Sequence, residues 1–219
     1  MKILLLTNKS HKVSLKVIKF LKIKKIKFTC IDTGLKRKIK ITGTYDYLFS
    51  FLNPVFIKKN IRKKIKKISI NFHPGPPEYP GYGCYNFALL DTVNSYGCTA
   101  HEINSKIDNG KIIDVRRFKF KYKNINLEKL IKMAHRNSFF LFKKIINQII
   151  NHNCVKIKKN EKWEKKKAYT KYEFENARKI NLNDSLVNIL KKIKAFSYKN
   201  YETVYLEIRG KKYDLKEKK

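Results

Sequence analysis

The sequence predicts an α/β protein with a Rossmann-like, mostly parallel sheet and a small C-terminal subdomain that ends in a β-hairpin. Apolar runs of strand length alternate with amphipathic stretches of helix length over the first 150 residues or so, an order typical of parallel sheets. After about residue 154 the chain becomes lysine-rich around its only tryptophan, Trp163. We therefore expect a main domain at 1–154 and a subdomain at 155–219, which the length allows.

The first half contains most of the predicted parallel strands. An apolar run at Lys2–Thr7 predicts the first strand, and His11–Ile23 has apolar residues at helical spacing. Further strands are predicted at Ile26–Ile31, Tyr45–Leu52 and Lys67–Phe72. Asn53-Pro54 predicts a helix start, because proline is tolerated in a first turn.

The second half is predicted to add two strands, one long helix and the terminal hairpin. Asn126 is expected to cap the long amphipathic helix, and Asp184 a later helix that ends at Phe196. The predicted ranges are Tyr96–Ile103 and Lys111–Phe118 for the strands, Leu127–Ile150 for the helix, and Thr203–Ile208 with Lys211–Leu215 for the hairpin.

Composition favours a soluble protein. Hydrophobic residues make up 42% of the chain, which is enough for a packed core despite a formal net charge of +35. No apolar run approaches the ~20 residues of a membrane span, and the apolar start is too short for a signal peptide. We expect a cytoplasmic protein that does not bind a membrane.

The positive charge is unevenly distributed. Between Asn71 and Val115, five acids face two bases, a net charge of −3. The excess elsewhere is mostly lysine, whereas arginine grips phosphates and reads bases better. We expect no nucleic-acid partner; a polyanion-binding surface remains an alternative.

The sequence lacks the motifs of several classes of cofactor and metal site. Thr7-Asn8-Lys9-Ser10 follows the first strand without a glycine, so neither a dinucleotide fingerprint nor a P-loop is present. The four cysteines form no CxxC pair and no zinc-ligand spacing with histidine. We expect reduced, mostly buried thiols and no metal; a catalytic thiol at Cys84 remains a minor alternative.

The loop His73–Gly83 contains four of the five prolines and three of the eight glycines. Proline fixes φ and glycine permits conformations that other residues resist, so the loop is expected to be rigid and specifically shaped. It follows a strand's carboxyl end, where open α/β sheets bind ligands. Asn71 and His73 lie on one face of that strand, because side chains alternate.

Two later segments give this pair more weight. Thr99-Ala100-His101 and Asp108-Asn109-Gly110-Lys111-Ile112-Ile113 follow the loop in that order. The combination resembles the N10-formyltetrahydrofolate-dependent formyltransferases, most strongly over residues 44–115. Leu52-Asn53-Pro54-Val55-Phe56 is also similar to a segment of that family. The resemblance implies the formyltransferase fold, N10-formyltetrahydrofolate as formyl donor, and no metal.

The resemblance implies that Asn71, His73 and Asp108 are the catalytic residues. Formyl transfer is the attack of an amine on a carbonyl, and it needs an oxyanion donor and a route for a proton. An amide such as Asn71 donates to the oxyanion, and a histidine such as His73 titrates near working pH. Asp108 would orient the imidazole or relay a proton. His101 matches a supporting histidine; its alternative is strand packing.

The same resemblance suggests where the substrates bind. Backbone groups of Ser50, Phe51 and Leu52, and of the segment from Asn104 through Ile107 to Asp108, would hold the pterin. The proline-glycine loop departs from the family's His-Pro-Ser-Leu-Leu-Pro pattern and looks about one residue shorter. This departure leaves the triad intact and affects the part of the loop expected to contact the acceptor. The candidates are Glu78, Tyr79, Tyr82 and Tyr85, with loop packing as the alternative.

The tail resembles that of the nucleotide-sugar N-formyltransferases. The matching segments are Trp163 with Ala168-Tyr169-Thr170, then Ile193–Tyr198, then Tyr205–Lys212, with Lys194 in place of the usual arginine. This implies a nucleotide-linked amino sugar as acceptor, specifically a dTDP-4-amino-4,6-dideoxyhexose for surface polysaccharides such as lipopolysaccharide O-antigen. The hairpin is a candidate homodimer element. Alternatives are a glycinamide ribonucleotide formyltransferase of purine synthesis and an inactive basic binding protein.

Overall fold

A mostly parallel sheet forms the centre of the computed structural model, which describes residues 1–35, 38–157, 160–165, 167–198 and 203–215. Its strands are β1 (Ile3–Thr7), β2 (Phe28–Asp32), β3 (Tyr45–Phe51), β4 (Ile65–His73), β5 (Ser95–Glu102) and β6 (Ile112–Lys119). The spatial order is β2-β1-β3-β4-β5-β6. Strands β1 to β4 are parallel, and β5 and β6 are antiparallel. The predicted α/β class is confirmed.

The described residues also contain six α-helices and a second, smaller sheet. The helices are α1 (Lys12–Ile23), α2 (Lys59–Arg62), α3 (Cys84–Leu90), α4 (Leu127–His152), α5 (Lys171–Ala177) and α6 (Leu186–Phe196). The second sheet has the order β7 (Lys179–Ile180), β8 (Tyr205–Ile208), β9 (Lys211–Asp214). The predicted cap of α4 is confirmed, because the Asn126 side chain accepts from the Lys129 amide at 2.9 Å.

Two predicted helix starts are wrong. The Asn53 side chain bonds both the N–H and the C=O of Val55, at 3.0 and 2.9 Å, which closes a local turn instead of opening a helix. Helix α2 begins only at Lys59. The cap of α6 is Ser185, whose hydroxyl accepts from the Asn188 amide. Asp184 instead accepts from Lys192 and from the Asn181 amide.

The main core lies between the sheet and helices α1 and α4. All five residues of β1 are buried, as expected for a strand inside a parallel sheet. Phe142 of α4 is fully buried at the centre of this core. Its ring lies 5.0 Å from that of Phe72, and 5.7 and 5.8 Å from those of Phe49 and Phe51. These contacts hold the carboxyl ends of β3 and β4 against α4.

The chain beyond α4 packs onto the same core. Phe174 of α5 lies edge-on to Phe196 of α6 at 5.2 Å, and both are buried. Asn86 of α3 donates to the Ala195 carbonyl at 2.8 Å, so α6 is bonded to the main domain. The predicted terminal hairpin is present, and its turn residues Arg209 and Gly210 both have positive φ. The basic stretch Lys156–Lys167 lies partly outside the described residues.

None of the described helices is both long and apolar enough to span a bilayer. Among the cysteines, Cys84 and Cys98 are buried, Cys30 is half-buried and Cys154 is exposed; all four are free thiols.

Replacement of Phe142 by alanine tests the importance of the aromatic core. We expect Phe142→Ala to lower the free energy of unfolding by about 3–5 kcal/mol, because it removes a fully buried ring that the surroundings cannot refill. Urea denaturation at neutral pH measures the change. The matched control is Phe56→Ala, which removes a half-exposed ring and is expected to cost less than about 1 kcal/mol. Equal losses in the two variants would contradict this account of the core.

Candidate active site

The end of β4 presents two polar side chains at the junction of the parallel and antiparallel parts of the sheet. Asn71 lies opposite Ser50 of β3 on one side and opposite His101 of β5 on the other. His73 is the last residue of β4, two positions further on. The strand alternation therefore brings Asn71, His73 and His101 to one place.

Asp108 joins these side chains into one cluster. Its Oδ1 lies 3.2 Å from Asn71 Nδ2 and 3.1 Å from His101 Nε2. Its Oδ2 lies 3.1 Å from His73 Nδ1 and accepts the Gly81 amide at 2.8 Å. The carboxyl is buried, and the N–H groups of Asn71 and Gly81 replace water as its donors. The structure thus brings Asn71, His73, His101 and Asp108 together.

Backbone geometry places Asp108 in this position. Its φ is +39°, in the left-handed region where aspartate is among the few tolerated non-glycine residues. Two residues later, a Cβ on Gly110 would lie 1.7 Å from the Glu102 carbonyl oxygen. Only glycine fits there, which explains the Asp-x-Gly spacing.

Each histidine of the cluster has one ring nitrogen against a backbone carbonyl. His73 Nε2 lies 2.9 Å from the Tyr79 oxygen, and His101 Nδ1 lies 2.8 Å from the Glu102 oxygen. A carbonyl oxygen only accepts, so these two nitrogens carry the protons. The remaining nitrogen of each ring faces Asp108, and a proton moving through the cluster reaches the imidazoles there.

Burial and charge set the protonation of the pair. Burial lowers the pKa of His73, and the nearby Asp108 carboxylate offsets only part of this effect. Burial alone would raise the pKa of Asp108, but His73, His101 and the Gly81 amide together hold it well below its usual range. Asp108 is therefore a carboxylate, and a neutral His73 ring presents the lone pair of Nδ1 to it, so this 3.1 Å contact becomes a hydrogen bond only when a proton enters it.

Both N–H groups of Asn71 have partners within the cluster. Its Nδ2 lies 3.1 Å from His101 Nε2 and 3.2 Å from Asp108 Oδ1. A donation to a substrate oxygen therefore requires that one of these bonds be exchanged. His73 is similarly occupied at both nitrogens. The side chains of the cluster hold one another in position, so its geometry is set before any substrate arrives.

The residues predicted to contact folate flank the cluster on β3 and on the loop after β5. Ser50 and Phe51 are buried, and the Phe51 carbonyl already accepts the Thr7 hydroxyl at 2.7 Å. Leu52 has φ +46° and is half-buried. On the other side Asn104 is half-buried, and Ile107, beside Asp108, is 58% exposed.

The predicted acceptor residues have different environments. Tyr79 is buried with its ring 6.3 Å from Tyr96, and its hydroxyl donates to Asp91, so loop packing describes this side chain. The Tyr85 ring is also packed near Tyr96, at 6.0 Å. Glu78 pairs with Arg117 at 2.7 Å. Tyr82 is the most accessible of these four predicted acceptor residues, with 48% of its surface exposed.

Cys84 offers no nucleophile. Its side chain is buried, and burial raises the pKa of the thiol to about 12. A thiol with that pKa is almost entirely protonated at neutral pH and is a poor nucleophile.

Trp163 is the site residue whose position the sequence reasoning did not predict. Its indole N–H donates to the Gly110 carbonyl at 2.7 Å. Its ring centroid lies 5.1 Å from that of His101 and 6.1 Å from that of His73. Its signal in the sequence was a lone tryptophan in a lysine-rich stretch. Such a residue is expected to pack against another part of the protein, but the sequence does not indicate which part.

Comparisons with known proteins give consistent similarities to formyltransferases. Residues 51–138 match the sequence profile described as formyl transferase. Bifunctional polymyxin resistance protein ArnA from Wigglesworthia glossinidia brevipalpis is 28% identical over 99 residues. That match covers 45% of this chain and 15% of the relative, so the chain spans only a small part of that protein's length.

Solved structures match nearly the whole chain. A sugar N-formyltransferase from a Shewanella species has a TM-score of 0.77 at 17% identity, covering 98% of this chain and 96% of its own. A 4-N formyltransferase from Francisella tularensis has a TM-score of 0.70 at 20% identity, with 98% and 96% covered. An N-formyltransferase from Helicobacter canadensis, in complex with folinic acid and dTDP-3-aminofucose, has a TM-score of 0.70 at 21% identity, with 96% and 85% covered.

The profile match includes β4, the proline-glycine loop and the Asp108 turn, which are the parts that build the cluster. The structural matches extend through the C-terminal helices and hairpin. Residues 51–138 therefore match the formyl transferase family profile, and nearly the whole chain has the fold of the sugar N-formyltransferases.

Proposed function

We propose that the protein transfers a formyl group from N10-formyltetrahydrofolate to the amine of a nucleotide-linked amino sugar. The specific acceptor that we propose is a dTDP-4-amino-4,6-dideoxyhexose, a precursor of surface polysaccharides. The observation that carries the proposal is the buried cluster around Asp108, at the end of β4, within a formyl transferase family match. An amide donor, a neutral imidazole and a carboxylate are the groups that amine-to-carbonyl transfer needs.

Asn71 is the proposed oxyanion donor. N10-formyltetrahydrofolate, when bound, supplies the electrophilic formyl carbon and a leaving nitrogen. As the amine attacks, negative charge develops on the formyl oxygen, and an N–H of Asn71 exchanges its present acceptor, His101 Nε2, for that oxygen. Exchange of a neutral acceptor for a charged one strengthens the bond as the charge grows, which is how such a donor lowers the barrier.

Asp108 and His73 are proposed to hold the proton. The amine loses one proton as its bond to the formyl carbon forms, and the departing folate nitrogen gains one. Asp108 Oδ2 lies 3.1 Å from His73 Nδ1, which carries a lone pair in the neutral ring. A proton taken up by Asp108 can therefore rest on His73 Nδ1 and return by the same contact.

The folate site is proposed to lie on both sides of the end of β4. Ser50, Phe51 and Leu52 approach from β3, and Asn104 and Ile107 from the loop after β5. A flat pterin has hydrogen-bonding edges and apolar faces. The backbone of these segments and the exposed side chain of Ile107 are chemically suited to it.

The acceptor is proposed to approach over the proline-glycine loop, past Glu78 and Tyr82. Relatives of the same fold differ in acceptor: the Helicobacter canadensis structure contains dTDP-3-aminofucose, and one from Anoxybacillus kamchatkensis a UDP-linked sugar. The position of the formylated amine on the sugar and the identity of its nucleotide are therefore tested by direct assay. The length match through the C-terminal hairpin favours a sugar acceptor over glycinamide ribonucleotide. The hairpin is also the proposed homodimer element.

A panel assay tests the reaction. The purified protein is incubated with N10-formyltetrahydrofolate and separate dTDP- and UDP-linked amino sugars or glycinamide ribonucleotide, and mass spectrometry follows the gain of one formyl group. We expect formylation of a dTDP-4-amino sugar. Asn71→Ala and His73→Ala should each lose at least about 10²-fold in rate, as for an oxyanion donor or general base.

His152→Ala is the matched control, since His152 is an exposed histidine at the end of α4. Formylation of glycinamide ribonucleotide alone would assign the protein to purine synthesis. No product from any acceptor, together with no folate binding, would favour the inactive binding protein.

Gly75 determines whether His73 can occupy its site. A Cβ on Gly75 would lie 2.4 Å from His73 Nε2 and 3.0 Å from the Cys84 Cβ. The imidazole is buried and bonded at both nitrogens, so it cannot move aside without losing a contact. The family pattern has serine at this position, and glycine here is part of the departure in the loop.

We expect Gly75→Ala to lower the rate of formyl transfer by about 10²-fold, the loss typical of a catalytic group displaced by about 1 Å. The control is Gly43→Ala, which lies outside the cluster at a positive φ of 67° and whose Cβ would meet only the flexible end of Lys2, with Nζ at 3.7 Å. That variant should lose some stability and keep its rate per folded molecule. An unchanged rate for Gly75→Ala would contradict the assigned position of His73.

A further inference from the structure

The segment that follows α4 returns across the proline-glycine loop. We define residues 160–165 and 167–170 as the C-terminal arm. The Tyr169 amide donates to Pro80 at 2.9 Å, and the Tyr82 amide donates to Tyr169 at 2.9 Å, so this arm pairs with the loop as a short parallel bridge. The Tyr169 ring stacks on Phe87 of α3 at 3.7 Å.

Charged contacts join the arm to the same loop at a second point. Arg117 bonds Glu78 of the loop at 2.7 Å and Glu161 of the arm at 3.0 Å. The Glu164 amide donates to the Pro77 carbonyl at 3.3 Å. Arg117 is partly exposed, so its ion pairs orient the arm more than they stabilise the fold.

Trp163 lies within the second attachment, between Glu161 and Glu164, and its ring faces the cluster. Its ring meets His101 edge-on at 82° and is tilted by 60° to His73. Its N–H is bonded to Gly110, two residues after Asp108. One side chain therefore contacts both imidazoles and the turn that positions the carboxylate.

We propose that Trp163 is a positioning residue for the transfer, so that the C-terminal arm completes the active site. The indole excludes water from His73 and His101, and its hydrogen bond to Gly110 fixes the Asp108 turn. Exclusion of water strengthens the electrostatic contacts of Asp108 and keeps the hydrogen-bond donors of the cluster in their orientation. This inference rests on the proposed function.

The decisive comparison is Trp163→Phe with Trp163→Leu. Phenylalanine keeps an aromatic cover and loses the bond to Gly110, and leucine loses both. We expect the kcat of formyl transfer to fall about tenfold in Trp163→Phe and about 100-fold in Trp163→Leu, with KM for the acceptor changing far less. Tyr172→Leu is the control, because Tyr172 is an aromatic residue close to the arm that is 75% exposed.

The pH profile separates positioning from general destabilisation. Burial lowers the pKa of His73, and the neutral ring is the form that accepts a proton. If leucine admits water, the pKa of His73 rises, and the acid limb of kcat moves to higher pH. A residue that only stabilised the fold would change the fraction of active molecules, measured by thermal unfolding, and leave this limb in place.

Trp163 also gives a signal that needs no turnover, because it is the only tryptophan. A protonated imidazole in contact with an indole quenches its emission. We expect the emission of the wild-type protein to fall on acidification within the folded range, and this step to disappear in the double variant His73→Gln/His101→Gln.

The outcomes separate the two proposals. Formyl transfer by Trp163→Leu with wild-type kcat and an unmoved acid limb would overturn the positioning role. An emission that ignores the two histidines would overturn the contact itself. If the wild type formylates no acceptor while its emission reports the histidines, the proposed reaction fails and the cover over the cluster stands.

Discussion

The buried carboxylate of Asp108 is the interaction on which the rest of the site depends. Burial of an isolated carboxylate in this position would cost a large desolvation free energy. Here two imidazoles, one amide side chain and the Gly81 N–H surround it. These four partners come from three parts of the chain: the end of β4, the end of β5 and the proline-glycine loop. Removal of one partner would leave charge or hydrogen-bonding groups buried without compensation, so the cluster also ties those parts together.

The glycines near the cluster make this arrangement sterically possible. Gly75 leaves room for the His73 ring, Gly110 lets the Asp108 turn approach Glu102, and Gly81 has φ +90° where its amide meets the carboxylate. Phe142 and its aromatic neighbours hold the strand ends from the other side. Steric fit and packing therefore make the site rigid. The C-terminal arm, which contains Trp163 and comes later in the chain, lies over it.

Sequence patterns predicted most of the sheet, because strands and helices depend on short spacings. Strand alternation placed Asn71 with His73, whereas Asp108 and His101 were assigned to the site through the resemblance to the formyltransferases. Details decided by one hydrogen bond were missed, as in the Asn53 turn and the Ser185 cap. The position of Trp163 could not be predicted, because it depends on contacts between segments that are distant in sequence. For Tyr79 the sequence left substrate contact and loop packing as alternatives, because the choice depends on the exact path of the loop.

The protonation pattern of the two histidines tests this account most directly. Side-chain ¹⁵N NMR on the histidine-labelled protein distinguishes ring tautomers, and the chain has only five histidines to assign. At neutral pH the account predicts a proton on Nε2 of His73, facing Tyr79, and on Nδ1 of His101, facing Glu102. A neutral His73 with its proton on Nδ1, or a neutral His101 with its proton on Nε2, would contradict the cluster described around Asp108.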